Sequence, residues 1–168
     1  AMPALTDTIT GFKNSETYLT PGVLSGTVIL TTTANELSNV TTYTIKAESG
    51  SLASDNYSFN LVNGTLTVTP ALLTYNATAA TSVYGTTPSV NAGTITGFVN
   101  SQNQASATTG TLTFTTAATS ASGVGSYAIN GGGLTANNGN YVFVQAAGNA
   151  TALTINQRPI NISGSRTY

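Results

Sequence analysis

The feature that most constrains the fold of this chain is an internal repeat. Ile9-Thr10-Gly11-Phe12 recurs as Ile95-Thr96-Gly97-Phe98, and residues 40–45 recur in pattern as residues 124–129. Further landmarks recur in the same order, at separations of 84 to 89 residues: Asn56-Tyr57 and Asn140-Tyr141, Leu66-Thr67-Val68 and Leu153-Thr154-Ile155, and Pro70 and Pro159. Self-similarity at a fixed period indicates that each repeat is one structural unit. The sequence therefore predicts tandem modules of about 85 residues.

The module boundaries follow from these landmarks. Residues 71–157 form a complete second module, which opens with residues 71–75 and continues through Val83-Tyr84-Gly85. Residues 1–70 form a first module that lacks this opening and is N-terminally truncated, and residues 158–168 begin a third repeat. We expect the chain to be part of a longer protein.

Within a module the apolar residues alternate with polar ones. Leu66 and Val68 lie between threonines, and so do Leu112 and Phe114; the segment 57–61 alternates in the same way. A period of two predicts strands with one buried and one solvent-facing side. The fold class is therefore all-β, with small immunoglobulin-like β-sandwich modules of six or seven strands. The alternative is a β-grasp-like module with one short helix within residues 99–107.

Glycine and asparagine mark the predicted turns. Asn63-Gly64, Asn130-Gly131 and Asn138-Gly139 are turn signals because both residue types tolerate positive φ. The run Gly131-Gly132-Gly133 follows a strand but opens no helix, and no lysine or acid accompanies it. We predict a loop there and no phosphate site.

Charge is nearly absent, which excludes several function classes. The chain has nine charged residues, no His and no Cys, and residues 56–157 carry no charge. General acid–base catalysis and zinc binding both need such side chains at close quarters. We therefore expect no enzyme activity, no cofactor and no metal. The net charge of −1 gives no basic footprint for nucleic acid, and no apolar stretch is long enough for membrane insertion.

The eight tyrosines are the remaining candidates for a site. Four recur at matched positions and are predicted to fill the core, each with its hydroxyl bonded near the rim: Tyr43, Tyr57, Tyr127 and Tyr141. We assign three of the others to the surface, where they form a candidate ligand surface on which sugar rings could stack: Tyr18, Tyr75 and Tyr84. A carbohydrate-binding module is therefore the first alternative function. Threonine ladders such as Thr111-Thr113-Thr115 make ice or other surface binding a second alternative.

The ordered motifs resemble the MBG-type repeat. The resemblance is carried by Tyr84-Gly85, by residues 95–100 and 124–129, and by Asn140-Tyr141, while residues 162–168 resemble the start of another MBG or related YDG repeat. It implies a tandem repeat of large secreted bacterial surface proteins, including filamentous-haemagglutinin-like adhesins. It brings no catalytic residues. The function expected is thus a non-catalytic extracellular stalk or spacer in an adhesin or biofilm-matrix protein, whose partners are neighbouring repeats or matrix glycans.

A last expectation concerns sheet edges. A first module without its opening has an unpaired edge, and residues 160–163 form a free strand. Uncharged edges pair readily with other chains. We therefore expect that a strand-swapped homodimer can form.

Overall fold

The computed structural model describes residues 2–167, so Tyr168, the tyrosine of the predicted third repeat, lies outside the described residues, as does Ala1. The chain divides into two compact units, Ala1–Thr69 and Pro70–Tyr168. We refer to them as the first unit and the second unit. In the described part, no helix is long and apolar enough to cross a membrane.

The second unit contains most of the regular structure. Its strands are β4 (Ala71–Ala77), β5 (Ala80–Val83), β6 (Gly93–Thr96), β7 (Thr108–Thr115), β8 (Gly125–Tyr127), β9 (Asn130–Ala136), β10 (Tyr141–Gln145) and β11 (Leu153–Asn156). One short helix, α1 (Gln104–Ala107), precedes β7, and 3-10 turns cover Asn137–Gly139 and Ala147–Thr151. The first unit has three strands among its described residues: β1 (Ile29–Thr32), β2 (Thr42–Glu48) and β3 (Gly64–Thr67).

Three small sheets build the second unit. Their strand orders are β10-β4-β6, β5-β11-β8 and β7-β9. β4 pairs in parallel with β10 and antiparallel with β6, and β5 pairs in parallel with β11. The opening of the module thus supplies one strand to each of two sheets.

The core of the second unit lies beneath β4. The inward face of this strand presents Leu73 and Tyr75, which are both buried. Tyr75 packs with Phe114, Ile129 and the β11 residues in one cluster, while Leu73 packs with Ala107 and Tyr141 in another. β4 therefore joins both halves of the core.

The first unit has a single antiparallel sheet of order β1-β2-β3. Its strands match β7 to β9 and β11 of the second unit, but no strand within residues 2–69 corresponds to β4 or β5. Segment 57–61, which alternates like a strand, is not one; its equivalent 141–145 is β10. The reason is physical, because β10 pairs only with β4.

The all-β prediction for small modules is confirmed. Two parallel strand pairs distinguish the second unit from the wholly antiparallel sheets of an immunoglobulin sandwich. The short helix of the β-grasp alternative is present as α1, within the residues where it was expected.

The glycine run at 131–133 is not the predicted loop, because it lies within β9. A methyl group on Gly131 would come within 2.6 Å of the Tyr75 side chain, so the strand needs glycine there to admit the ring. Of the three turn signals, Asn138-Gly139 forms a turn with both φ values positive, whereas the other two lie at strand starts.

The first prediction tests this packing. Replacing Gly131 by Ala should lower the free energy of unfolding by about 1–3 kcal/mol, because the added methyl group overpacks the core against Tyr75. The matched control is Gly132→Ala, since nothing lies within 4 Å of a methyl group at Gly132. Urea unfolding followed by circular dichroism measures both variants. Equal destabilisation of the two would contradict the packing described.

Candidate functional site

The three tyrosines assigned to a ligand surface do not share one environment. Tyr18 is 62% exposed and Tyr84 is 47% exposed, as expected. Tyr75 is only 4% exposed, so its assignment to the surface was wrong. Its ring stacks on Phe143 with 5.4 Å between centroids and meets Phe114 edge-on at 6.4 Å. Position 75 falls on the inward face of β4, in phase with Leu73, and that two-residue spacing was the available sequence signal.

Burial also changes the ionisation of Tyr75. Removal from water raises the pKa of its hydroxyl above the ordinary value of 10.0, and a backbone hydrogen bond with Leu134 opposes this in part. The phenolate form is therefore disfavoured in the folded protein.

Two of the repeated tyrosines anchor a strand to the loop before it. The Tyr43 hydroxyl donates to the Asn39 carbonyl at 3.0 Å, and the Tyr127 hydroxyl donates to the Gly123 carbonyl at 2.8 Å. Both bonds reach four residues back along the chain. The predicted rim bonding of these hydroxyls is confirmed.

The other two repeated tyrosines close a turn, in an arrangement we call the tyrosine clasp. In the second unit the Tyr141 hydroxyl accepts from the Val99 amide at 3.1 Å and donates to Gln102 Oε1 at 2.6 Å. The turn between these partners holds Asn100 and Ser101 at φ of 54° and 57°. Phe98 packs edge-on against the Tyr141 ring, at 5.9 Å between centroids.

The first unit repeats the clasp residue for residue. The Tyr57 hydroxyl accepts from the Lys13 amide at 3.0 Å and donates to Glu16 Oε2. Asn14 and Ser15 again have positive φ, and Phe12 again packs edge-on against the ring. The hydrogen bond to the Glu16 carboxylate is the main cause that raises the pKa of Tyr57. Comparison of the two repeats did not reveal the clasp, because the side chain that accepts from the tyrosine hydroxyl changes from Glu16 to Gln102.

Charged side chains make contacts in each unit. Within residues 2–167 no three His, Cys, Asp or Glu residues come together as a metal site would require. Lys46 and Glu48 form an exposed ion pair at 2.5 Å. Arg158 instead holds the Tyr84-Gly85-Thr86 turn, because its Nε donates to the Tyr84 carbonyl at 2.7 Å and Nη2 donates to Thr86 Oγ1 at 3.1 Å.

The first unit contains an open groove of about 650 Å³. We call it the β4-equivalent groove, since its walls are segments 6–12 and 57–62, which match β6 and β10. Its apolar floor comes from β1, β2 and the segments that flank them: Leu24, Val28, Leu30, Ile45, Ala47 and Leu52. In the second unit the corresponding space is filled by Leu73 and Tyr75 of β4.

Exposure of matched residues shows the same difference. Several core residues of the second unit are fully or almost fully buried: Phe114, Ile129, Tyr141, Leu153 and Ile155. Their counterparts in the first unit are only half-buried: Leu30, Ile45, Tyr57, Leu66 and Val68. Val23 and Ala34, which lie away from the groove floor, are buried in the first unit as their counterparts are in the second. The less buried residues of the first unit are thus those whose counterparts pack around β4 or beside β5 in the second unit.

The family of this chain is shown by a match to the MBG domain (YGX type) over residues 1–67 and again over residues 73–151. The chain belongs to this family, whose members are repeat domains of surface adhesin-like proteins and occur in bacterial surface or extracellular proteins. The family is of structural or adhesin type rather than enzymatic. Searches of the curated proteins and of the solved structures find no match.

The second prediction concerns alkaline stability. Because the pKa of Tyr75 is raised in the folded state, its contribution to stability is complete below its unfolded value of 10.0 and is lost as pH rises through the folded pKa. The midpoint of urea unfolding should therefore fall more steeply above pH 10 in the wild type than in Tyr75→Phe, which cannot ionise there. Parallel curves for the two proteins would contradict this assignment.

Proposed function

We propose that this chain is a non-catalytic spacer region of an extracellular bacterial adhesin or biofilm-matrix protein. Its task would be to hold a binding tip at a distance from the cell. Modules in series make stability a sum of local terms and make length a matter of copy number. The family supports a surface location, and the spacer role rests on what the two units have in common.

The proposal rests on which tyrosines recur in both units. The clasp tyrosines Tyr57 and Tyr141 recur with the same backbone partners, and so do Tyr43 and Tyr127. The exposed Tyr18 does not recur, because Gln104 stands at the matching position. The repeat thus preserves side chains that hold turns and strands in place, while its surface varies. Such a pattern favours a structural role over a repeated ligand site.

The chemistry of the surface agrees with a passive role. Threonines 111, 113 and 115 lie on the solvent side of β7, where their branched side chains suit a pleated strand. A register shift between Gly110 and Thr113 interrupts the pairing of β7 with β9, so this ladder is not a regular flat array. Ice binding therefore receives no support from its geometry.

The third prediction tests the spacer role in the parent protein. Replacing this chain by the same number of unrelated β-modules should leave cell adhesion unchanged within experimental variation. Deleting the chain should reduce adhesion, because the binding tip would then lie closer to the cell. Adhesion of displaying cells to a coated surface is the measurement. Loss of adhesion in the length-matched replacement, to the level of the deletion, would show that the chain itself carries a binding site.

A carbohydrate-binding module is the second candidate, favoured by the exposure of Tyr18 and Tyr84. Aromatic faces in water can stack on sugar rings. The fourth prediction is that Tyr18→Ala or Tyr84→Ala abolishes any signal on a glycan array if this function holds. Tyr43→Phe is the matched control, because it changes a tyrosine whose hydroxyl donates to the Asn39 carbonyl and whose ring is retained in the variant. A signal that survives both alanine variants would contradict this candidate.

A further inference from the structure

The chain contains three asparagine–glycine pairs, and the fold places them in different environments. They are Asn63-Gly64, Asn130-Gly131 and Asn138-Gly139. In such a pair the glycine nitrogen can attack the carbonyl carbon of the asparagine side chain, because glycine has no Cβ to hinder the approach. The product is a five-membered cyclic imide. In a folded protein the reaction requires that the backbone and the side chain are free to rotate into the geometry of attack.

Two of the three pairs are fixed by strand pairing and by hydrogen bonds. Gly131 lies within β9, and its amide, the nitrogen that would attack, donates to Gln145 Oε1 at 2.9 Å. Gly64 is the first residue of β3, and the Asn63 side-chain carbonyl accepts from the Ala47 amide at 3.2 Å. Attack at either pair first requires local opening of a strand, which costs free energy.

The third pair forms the tip of the turn between β9 and β10. Asn138 and Gly139 are both exposed, with φ of 54° and 66°. Among residues 2–167 the Asn138 side chain has no hydrogen-bond partner. Nothing lies within 4 Å of a methyl group placed on Gly139, so the space around the tip is open. The side chain and the backbone of this pair can therefore rotate at little cost.

The two ends of the same turn are held in place. Asn137 Nδ2 donates to the Ser106 carbonyl at 3.1 Å. The Asn140 amide donates to the Asn137 carbonyl at 3.1 Å, and the Asn140 carbonyl accepts from the Ala71 amide at 2.9 Å. None of these bonds uses an atom of the tip. A covalent change at the tip therefore leaves the connections of β9 and β10 intact.

We propose that Asn138 is a site of spontaneous deamidation in the folded protein. The Gly139 nitrogen gives its proton to a solvent base and forms a bond to Asn138 Cγ. The Cγ–Nδ2 bond breaks, and the nitrogen leaves as ammonia with a proton from solvent. Water then adds to one of the two imide carbonyls and opens the ring, which gives either aspartate or isoaspartate. No atom is oxidised or reduced, and water is the only co-reactant.

The modification changes the charge of the module. Residues 56–157 carry no charge, so either product introduces the first one in this stretch. Because a neutral amide becomes a carboxylate, the net charge of the chain changes from −1 to −2. Net charge further from zero opposes the association of nearly neutral molecules. This reactivity goes beyond the spacer function and does not depend on it.

The fifth prediction compares the three asparagines within one sample. In the folded wild type at mildly alkaline pH, Asn138 should be converted at least about tenfold faster than Asn63 or Asn130, because these two react only after local opening. Samples taken over time are digested with pepsin under acidic conditions, in which the glycine nitrogen stays protonated. Mass spectrometry of the peptides then measures the change from amide to carboxyl group at each asparagine.

The same measurement in concentrated urea separates the effect of the fold from that of the sequence. The three asparagines should then react at comparable rates, because each is followed by glycine. Conversion of Asn63 or Asn130 as fast as Asn138 in the folded protein would overturn the proposal. So would an Asn138 that reacts in urea but not in the folded chain, or a preference for Asn138 that urea leaves unchanged.

Two variants at the same position complete the test. Asn138→Asp should elute with the acidic fraction of aged wild type on anion exchange and keep the wild-type circular dichroism spectrum, because aspartate also tolerates positive φ. Asn138→Ser removes the reacting amide and keeps a residue type that adopts this φ elsewhere in the chain, at Ser101. Growth of an acidic fraction in Asn138→Ser at the wild-type rate would show that the charge arises elsewhere and would contradict the assignment.

Discussion

The structure depends on the coverage of an apolar core by one strand, β4. Its inward residues Leu73 and Tyr75 contact both core clusters of the second unit, and its two edges bond to β10 and β6. Where β4 is present, the residues beneath it are buried and its neighbours are strands. Where no equivalent exists, in the first unit, the same residues are half-exposed and the neighbouring segments belong to no sheet. Burial and backbone pairing are therefore gained or lost together.

The sequence was sufficient for the repeat, the all-β class and the hydrogen-bonded hydroxyls of the four matched tyrosines, because alternation and internal comparison report these features directly. Of these four tyrosines Tyr141 alone is buried, and the other three are half-buried. The sequence did not predict the conformation or the burial of residues that depend on a partner far away in the chain. Segment 57–61 alternates like segment 141–145, yet only the latter is a strand, since pairing requires β4. Tyr75 was assigned to water, and the glycines at 131–133 to a loop, because their mutual fit appears only when β4 crosses β9.

The repeated clasp explains how modules of low charge hold defined turns. A tyrosine hydroxyl satisfies a backbone amide and a side-chain acceptor at a turn with two residues of positive φ, and an edge-on phenylalanine fixes the ring. Such a device needs no ion pair, since Gln102 replaces Glu16 without loss of the arrangement. Threonine and asparagine on the outside and aliphatic and aromatic residues inside then suffice for a domain of this family. Those are properties suited to a surface repeat of structural or adhesin type.

Amide hydrogen exchange in dilute solution tests the central role of β4 most directly, because the chain contains its own comparison. If coverage by β4 orders its neighbours, the amides of residues 141–145 should exchange slowly and those of the matching residues 57–61 should exchange quickly. Similar protection of the two segments in the monomer would contradict the account, since the first unit would then order its wall without a strand beside it.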